Sequence, residues 1–120
     1  MELVKKYEWV QALYSGEYDQ CRERLKLIDA GGNASFCCLG VLCDISGEGE
    51  WEDHVYDDGD GWGEFTIDGG TYGSITDLPY QLMEKYKLSR DQTESLIRMN
   101  DEGFSFTEIG DWIRLNIGID

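Results

Sequence analysis

Four cysteines, a single histidine and a dense set of carboxylates are the groups in this sequence with the reactivity for nucleophilic, metal-binding or acid–base chemistry. Structural zinc sites pair cysteines with two or four residues between them, and four separate Cys38 from Cys43 within the apolar run Phe36-Cys37-Cys38-Leu39-Gly40-Val41-Leu42-Cys43. If that run is helical, positions five apart differ in direction by about 140°, which does not chelate one ion. Cys21, Cys37, Cys38 and Cys43 therefore read as reduced thiols packed in a core, where free cysteine is common. His54 with a cysteine and an aspartate would complete a nucleophilic triad, but an apolar setting raises a thiol pKa and works against it. A lone histidine in an acidic, glycine-rich stretch reads instead as an exposed or locally hydrogen-bonded side chain.

The stretch Asp57-Asp58-Gly59-Asp60-Gly61-Trp62-Gly63-Glu64 invites comparison with a calcium loop. With Gly61 at the sixth position of an EF-hand, Asp58 and Asp60 fall at the third and fifth, but Tyr56 and Ile67 occupy the first and twelfth, where ligands are needed. No lysine closes a phosphate-cradling glycine loop. Carboxylates for general acid and base catalysis are abundant, and nothing singles out one pair. The 57–64 stretch reads as a solvated charged loop, with a weak, irregular divalent site as the lesser alternative; no metal or other cofactor is expected, and no catalytic residue is assigned.

Charge distribution is more informative. The 120 residues include 25 Asp plus Glu against 10 Lys plus Arg, a net charge of −15. Residues 27–84 hold 13 acids and no Lys or Arg, so nearly all the excess belongs to one segment. Such a chain lacks the positive footprint that a nucleic-acid backbone or an anionic membrane requires. A hydrophobic fraction of 41%, with 4 Trp, 7 Tyr and 4 Phe, excludes a wholly disordered acidic tail. There is no membrane-spanning apolar run, and the amino terminus lacks a basic region followed by apolar residues. A single soluble domain over residues 1–120, not exported, is the expectation.

The elements follow from periodicity and caps. Leu3, Tyr7, Val10, Leu13 and Tyr14 form a helical stripe ending near Ser15-Gly16. A short strand is expected around Arg24 to Ile28, a turn at 29–33, and a buried helix over Phe36 to Ile45, with a strand the alternative for so short a run. From Gly47 to Gly73 there are eight glycines and nine acids without helical period, which reads as loop with short strands. Glu64 to Ile67 and Thr71 to Ile75 flank Asp68-Gly69-Gly70, a tight-turn sequence. Leu78-Pro79 opens a helix running to about Tyr86. Ser89 with Gln92 and Ser105 with Glu108 are capping boxes, and Phe104 with Ile109 fits a hydrophobic staple. Asn100 to Gly103 reads as the turn between the last two helices. The expected fold is α+β: about four to five helices with a small antiparallel hairpin or sheet from the acidic segment at 47–76.

The runs Trp9-x-x-Ala12-Leu13-x-Ser15-Gly16-x-Tyr18-x-Gln20, Phe36-Cys37-Cys38-Leu39-Gly40-Val41-Leu42-Cys43-Asp44 and Asn100-Asp101-x-Gly103-x-Ser105-Phe106-x-Glu108-Ile109 resemble a family of small uncharacterised phage and prophage proteins. Cys21 and Glu23 stand where that family carries glycines. The resemblance implies a phage-type accessory protein working in a bacterial cytoplasm and implies no activity.

Two functional expectations result. In the first, an acidic face formed by Glu48, Glu50, Glu52, Asp53, Asp57, Asp58, Asp60 and Glu64 docks on a basic host protein, either a nucleic-acid-binding protein or a defence factor. Trp51, Tyr56 and Trp62 would be its aromatic anchors. Dense carboxylates can imitate spaced phosphates, so the face would inhibit by nucleic-acid mimicry, in counter-defence, without binding nucleic acid itself. The bland counterpart is that these acids only maintain solubility. In the second, the protein sequesters or degrades a small ligand such as a signalling nucleotide, with Arg22, Arg24 and Lys26 the only clustered cations.

Overall fold

The computed structural model describes residues 1–67 and 73–119. Five helices, α1 (Leu3–Tyr14), α2 (Cys38–Ser46), α3 (Tyr80–Tyr86), α4 (Arg90–Asp101) and α5 (Phe106–Asn116), pack with one sheet of β1 (Lys26–Ile28), β2 (Ala34–Phe36), β3 (Gly49–Val55) and β4 (Gly61–Ile67). The strands are antiparallel in the order β2-β1-β4-β3. The α+β expectation holds.

The core forms around α2. Cys38, Leu39, Val41 and Leu42 have no measurable exposure, which matches a segment apolar on all sides and therefore buried on all sides. α1 packs across it and fixes it by a hydrogen bond from the Trp9 indole N–H to the Cys38 carbonyl, 2.9 Å. Gly40 lets the chain before β1 come against this helix: a Cβ there would stand 1.9 Å from the Leu25 carbonyl oxygen. Gly47, at φ 68°, ends α2 in the left-handed conformation that glycine adopts without penalty. Both capping boxes form, with Gln92 N–H donating to Ser89 Oγ at 3.1 Å and Glu108 N–H to Ser105 Oγ at 3.1 Å. α4 continues through Asp101, so the segment read as a turn contributes its first two residues to the helix, and Gly103 makes the bend at φ 98°. α5 closes the domain by packing on α1, where the Lys6 amine donates to the Ile117 carbonyl.

The acidic segment is more regular than its sequence suggests. Residues 49–67 are not loop with short strands but two seven-residue strands paired from Gly49↔Ile67 to Val55↔Gly61. The turn lies at 56–60, where Tyr56 N–H donates to the Asp60 carbonyl at 2.7 Å and Asp60 N–H to Asp58 Oδ1 at 2.9 Å. The aspartates read as calcium-loop positions thus shape a hairpin end. The tight turn expected at Asp68-Gly69-Gly70 lies outside the described residues, but its flanks do pair, through an antiparallel bridge between Phe65 and Ser74. A further short strand, β2, precedes α2 and was not anticipated; its Phe36 meets Trp51 edge-on with ring centroids 5.8 Å apart.

Alternation sorts the hairpin residues onto two faces. On the face toward α2 lie Trp51 and Phe65, with centroids 5.0 Å apart, and the Trp51 indole donates to Asp44 Oδ1 of that helix at 3.0 Å. On the opposite, open face Glu50 stands opposite Thr66, Glu52 opposite Glu64, and His54 opposite Trp62. β3 is an edge strand, and the exposed carboxylates of Glu50 and Glu52 discourage another chain from extending the sheet there.

Candidate functional site

The open sheet face and the hairpin end carry the residues to which sequence reasoning assigned partner binding, but the structure divides them into two sets. Asp57, Asp58 and Asp60 lie exposed around the turn, and Glu50 and Glu52 are exposed on β3. Three other acids already have partners. Asp53 points to the α2 side and accepts from the Lys26 amine at 2.9 and 3.2 Å, Glu48 pairs with Lys85, and Glu64 Oε1 accepts from His54 Nε2 at 3.1 Å. The aromatic anchors separate likewise. Trp51 is committed to the core cluster, whereas Tyr56 is 64% exposed and Trp62 half-buried on the open face.

Trp62 organises the chemistry of this face. Its ring stacks on the His54 imidazole, with centroids 4.3 Å apart and planes 23° from parallel. The Arg24 guanidinium carbon lies 5.9 Å from the Trp62 centroid. Trp62 also borders an open hollow of about 600 Å³ whose lining includes Asp19, Arg24, Asp29, Tyr56 and Asp60. The strand register explains the aromatic wall: Leu27 of β1 faces Trp62 of β4, and Tyr56 begins the turn that rises beside them. Asp29 is held as a ready anion. Its Oδ1 accepts the backbone N–H groups of Asn33 and Gly31, each at 2.9 Å, and these bonds, led by that from the Asn33 backbone, push its pKa below the usual carboxylate value.

Asp19 and Asp29 were not singled out from the sequence. They come from segments that approach only once β1 is inserted between β2 and β4. The local signal that was available is Asp29 followed by Gly-Gly-Asn, an Asx-turn sequence that fixes a carboxylate. The three cations expected to cluster diverge. Arg24 goes to Trp62, Lys26 to Asp53 beneath the sheet, and the Arg22 guanidinium approaches Gly103.

The thiols take no part. All four cysteines are free and buried; burial raises each pKa, that of Cys37 to about 12. The Cys38 thiol donates to the Leu96 carbonyl, 3.7 Å away in the core, while His54 is engaged by Glu64 on the open sheet face. No cysteine–histidine nucleophile is assembled from these residues.

Residues 1–117 match the family model described as a domain of unknown function, DUF8296. The chain belongs to that family. No curated protein and no solved structure matches it. The family match takes in all five helices, all four strands and every residue of the hollow, so the DUF8296 unit carries the whole candidate site. Among the described residues no helix is long and apolar enough to cross a membrane.

Proposed function

We propose that this DUF8296 protein is a non-catalytic binding module whose acidic sheet face docks on a basic host protein and blocks it. The observation that carries the reading is the hollow whose lining brings Asp19, Asp29 and Asp60, against the single cation Arg24, together with the exposed Tyr56 and the half-buried Trp62. That combination suits a guanidinium or ammonium group, which gains from carboxylate pairing and from an aromatic face at once. Arg24 is an internal precedent, since its own guanidinium lies over Trp62. Around the hollow, the exposed acids Asp57, Asp58, Glu50 and Glu52 supply the long-range field that steers a basic surface onto it. A phage-type counter-defence role in a bacterial cytoplasm, with the carboxylates standing in for phosphates, is the setting we propose for this docking.

The test is recovery of the tagged protein from a bacterial host at low and at high salt, for the wild type and for a variant with Asp57, Asp58 and Asp60 changed to Asn. A stoichiometric basic partner at low salt is expected, lost at high salt and lost with the variant. A partner retained equally by the variant overturns the reading. So does a small molecule released from the wild type with no protein partner, which would favour sequestration or turnover of a small ligand.

A further inference from the structure

One corner of the open face has a donor set that lies outside the hollow. Glu52 and His54 are two residues apart on β3 and so project on the same side, and Glu64 stands directly across from Glu52 on β4. One ligand atom from each of these three side chains lies within 4.8 Å of the others. We propose that Glu52, His54 and Glu64 bind a divalent transition-metal ion of the zinc class, with its remaining coordination positions open to solvent.

Four features support the assignment. First, the donors are an imidazole nitrogen and two carboxylates, a set that suits zinc, cobalt or nickel rather than calcium, which takes oxygen ligands alone. Second, the spacing is close to what is required. Ligands about 2.1 Å from a tetrahedral ion stand roughly 3.4 Å apart. His54 Nε2 and Glu64 Oε1 are already 3.1 Å apart, and Glu52, whose side chain is exposed, has the freedom to close the remaining gap. Third, two of the ligands are held from behind. Glu64 Oε2 accepts the Gly73 N–H at 3.1 Å, and the Trp62 ring fixes the plane of His54. Such outer contacts are what orient ligands in metal sites. Fourth, two carboxylates placed directly opposite across an antiparallel ladder repel each other, and a bound cation removes that repulsion. The cysteines do not compete, because burial keeps them protonated within the core.

This proposal does not depend on docking, and its test needs no partner. The reduced, metal-free full-length chain is titrated with Co²⁺ and, in parallel, with Zn²⁺ by calorimetry. One equivalent of each is expected to bind. Cobalt is expected to give weak visible ligand-field bands without the intense near-ultraviolet thiolate band, and to quench tryptophan emission in the wild type. Glu52→Gln, His54→Gln and Glu64→Gln are each expected to weaken binding at least tenfold, while Glu94→Gln, at an exposed acid on α4, keeps full affinity. Far-ultraviolet circular dichroism checks that each variant is folded, and Glu52→Gln, at an exposed position, is the decisive one. Absence of binding, a thiolate band, equal binding by Glu52→Gln, or an equal loss with Glu94→Gln would each overturn the assignment.

Discussion

Asn100 is the side chain on which the approach of three segments depends. It has no measurable exposure, and near the end of α4 its Nδ2 donates to the Cys21 carbonyl at 2.7 Å. Its Oδ1 accepts the Cys38 N–H at 3.2 Å and the Gln20 amide at 2.9 Å. Asn100→Ala removes all three bonds at once. Gln20 keeps the Phe104 carbonyl as an acceptor and reaches solvent, so its loss is small. The Cys38 N–H, at the first turn of α2, and the Cys21 carbonyl are left buried without this partner, at about 1–3 kcal/mol each. The expected total is about 4 kcal/mol, which for a domain of this size lowers Tm by roughly 15 °C. Urea unfolding followed by tryptophan emission measures it, with an unchanged slope against denaturant as the check that the two end states are comparable. Asn100→Asp sharpens the test. The carboxylate keeps the acceptor role but faces the Cys21 carbonyl without a proton to donate. Burial then raises its pKa above the unfolded value, so the variant's stability is present at low pH and lost as pH rises from about 4. A loss below about 1 kcal/mol for Asn100→Ala, or an Asp variant that weakens on acidification relative to wild type, would refute this account.

Gly40→Ala places a Cβ against the Leu25 carbonyl, a backbone atom that cannot rotate away; a loss of more than about 3 kcal/mol is expected in urea unfolding. Gly118→Ala, with open space around it, changes stability by less than about 0.5 kcal/mol in the same assay. Among the described residues the Tyr86 hydroxyl is buried without a hydrogen-bond partner, so Tyr86→Phe is expected to raise stability by about 1 kcal/mol, read from the urea midpoint. Burial raises the Cys37 thiol and the Tyr86 phenol each to about 12. Both groups ionise earlier in the unfolded chain, near pH 9 and 10, so their contribution is intact below pH 9 and declines from there toward pH 12. Urea midpoints at pH 8 and pH 10.5 test this, and a thiol reagent at pH 8 is expected to modify the cysteines only at the rate of unfolding.

The helices were legible because their signals are local. Ser89 with Gln92 and Ser105 with Glu108 fix two starts by side-chain to backbone bonds within four residues. The apolar run after Phe36 has nowhere to go but the core. β3 was not legible as a regular strand, because Glu50, Glu52 and Asp53 are residues that strands disfavour. β4 carries Gly61 and Gly63, which usually weaken a strand. The Gly63 position makes sense only in three dimensions, where a Cβ would stand 2.7 Å from Lys26 Cδ and 3.0 Å from Trp51 Cε3. Of the candidate site, the sequence named the acids but could not say which of them fold uses up. That Asp53 turns under the sheet to Lys26 depends on the strand register, and the closeness of His54 to Glu64 depends on a pairing between strands. The spacing Glu52-x-His54 was the readable trace of that corner.

The packing of α5 on α1 sets a timetable for folding. Tyr14 reaches Asp111, and Lys6 reaches the carbonyl of Ile117, contacts that join the first helix to the last. Trp9, Leu13, Ile109 and Ile113 belong to one continuous core. A nascent chain therefore cannot finish this core until its last helix has left the ribosome, and during synthesis α1 must wait with its apolar stripe uncovered. The 22 Asp plus Glu against 9 Lys plus Arg already present before α5 then act in time as well as in space, setting incomplete copies of the chain to repel one another until α5 arrives to close the domain.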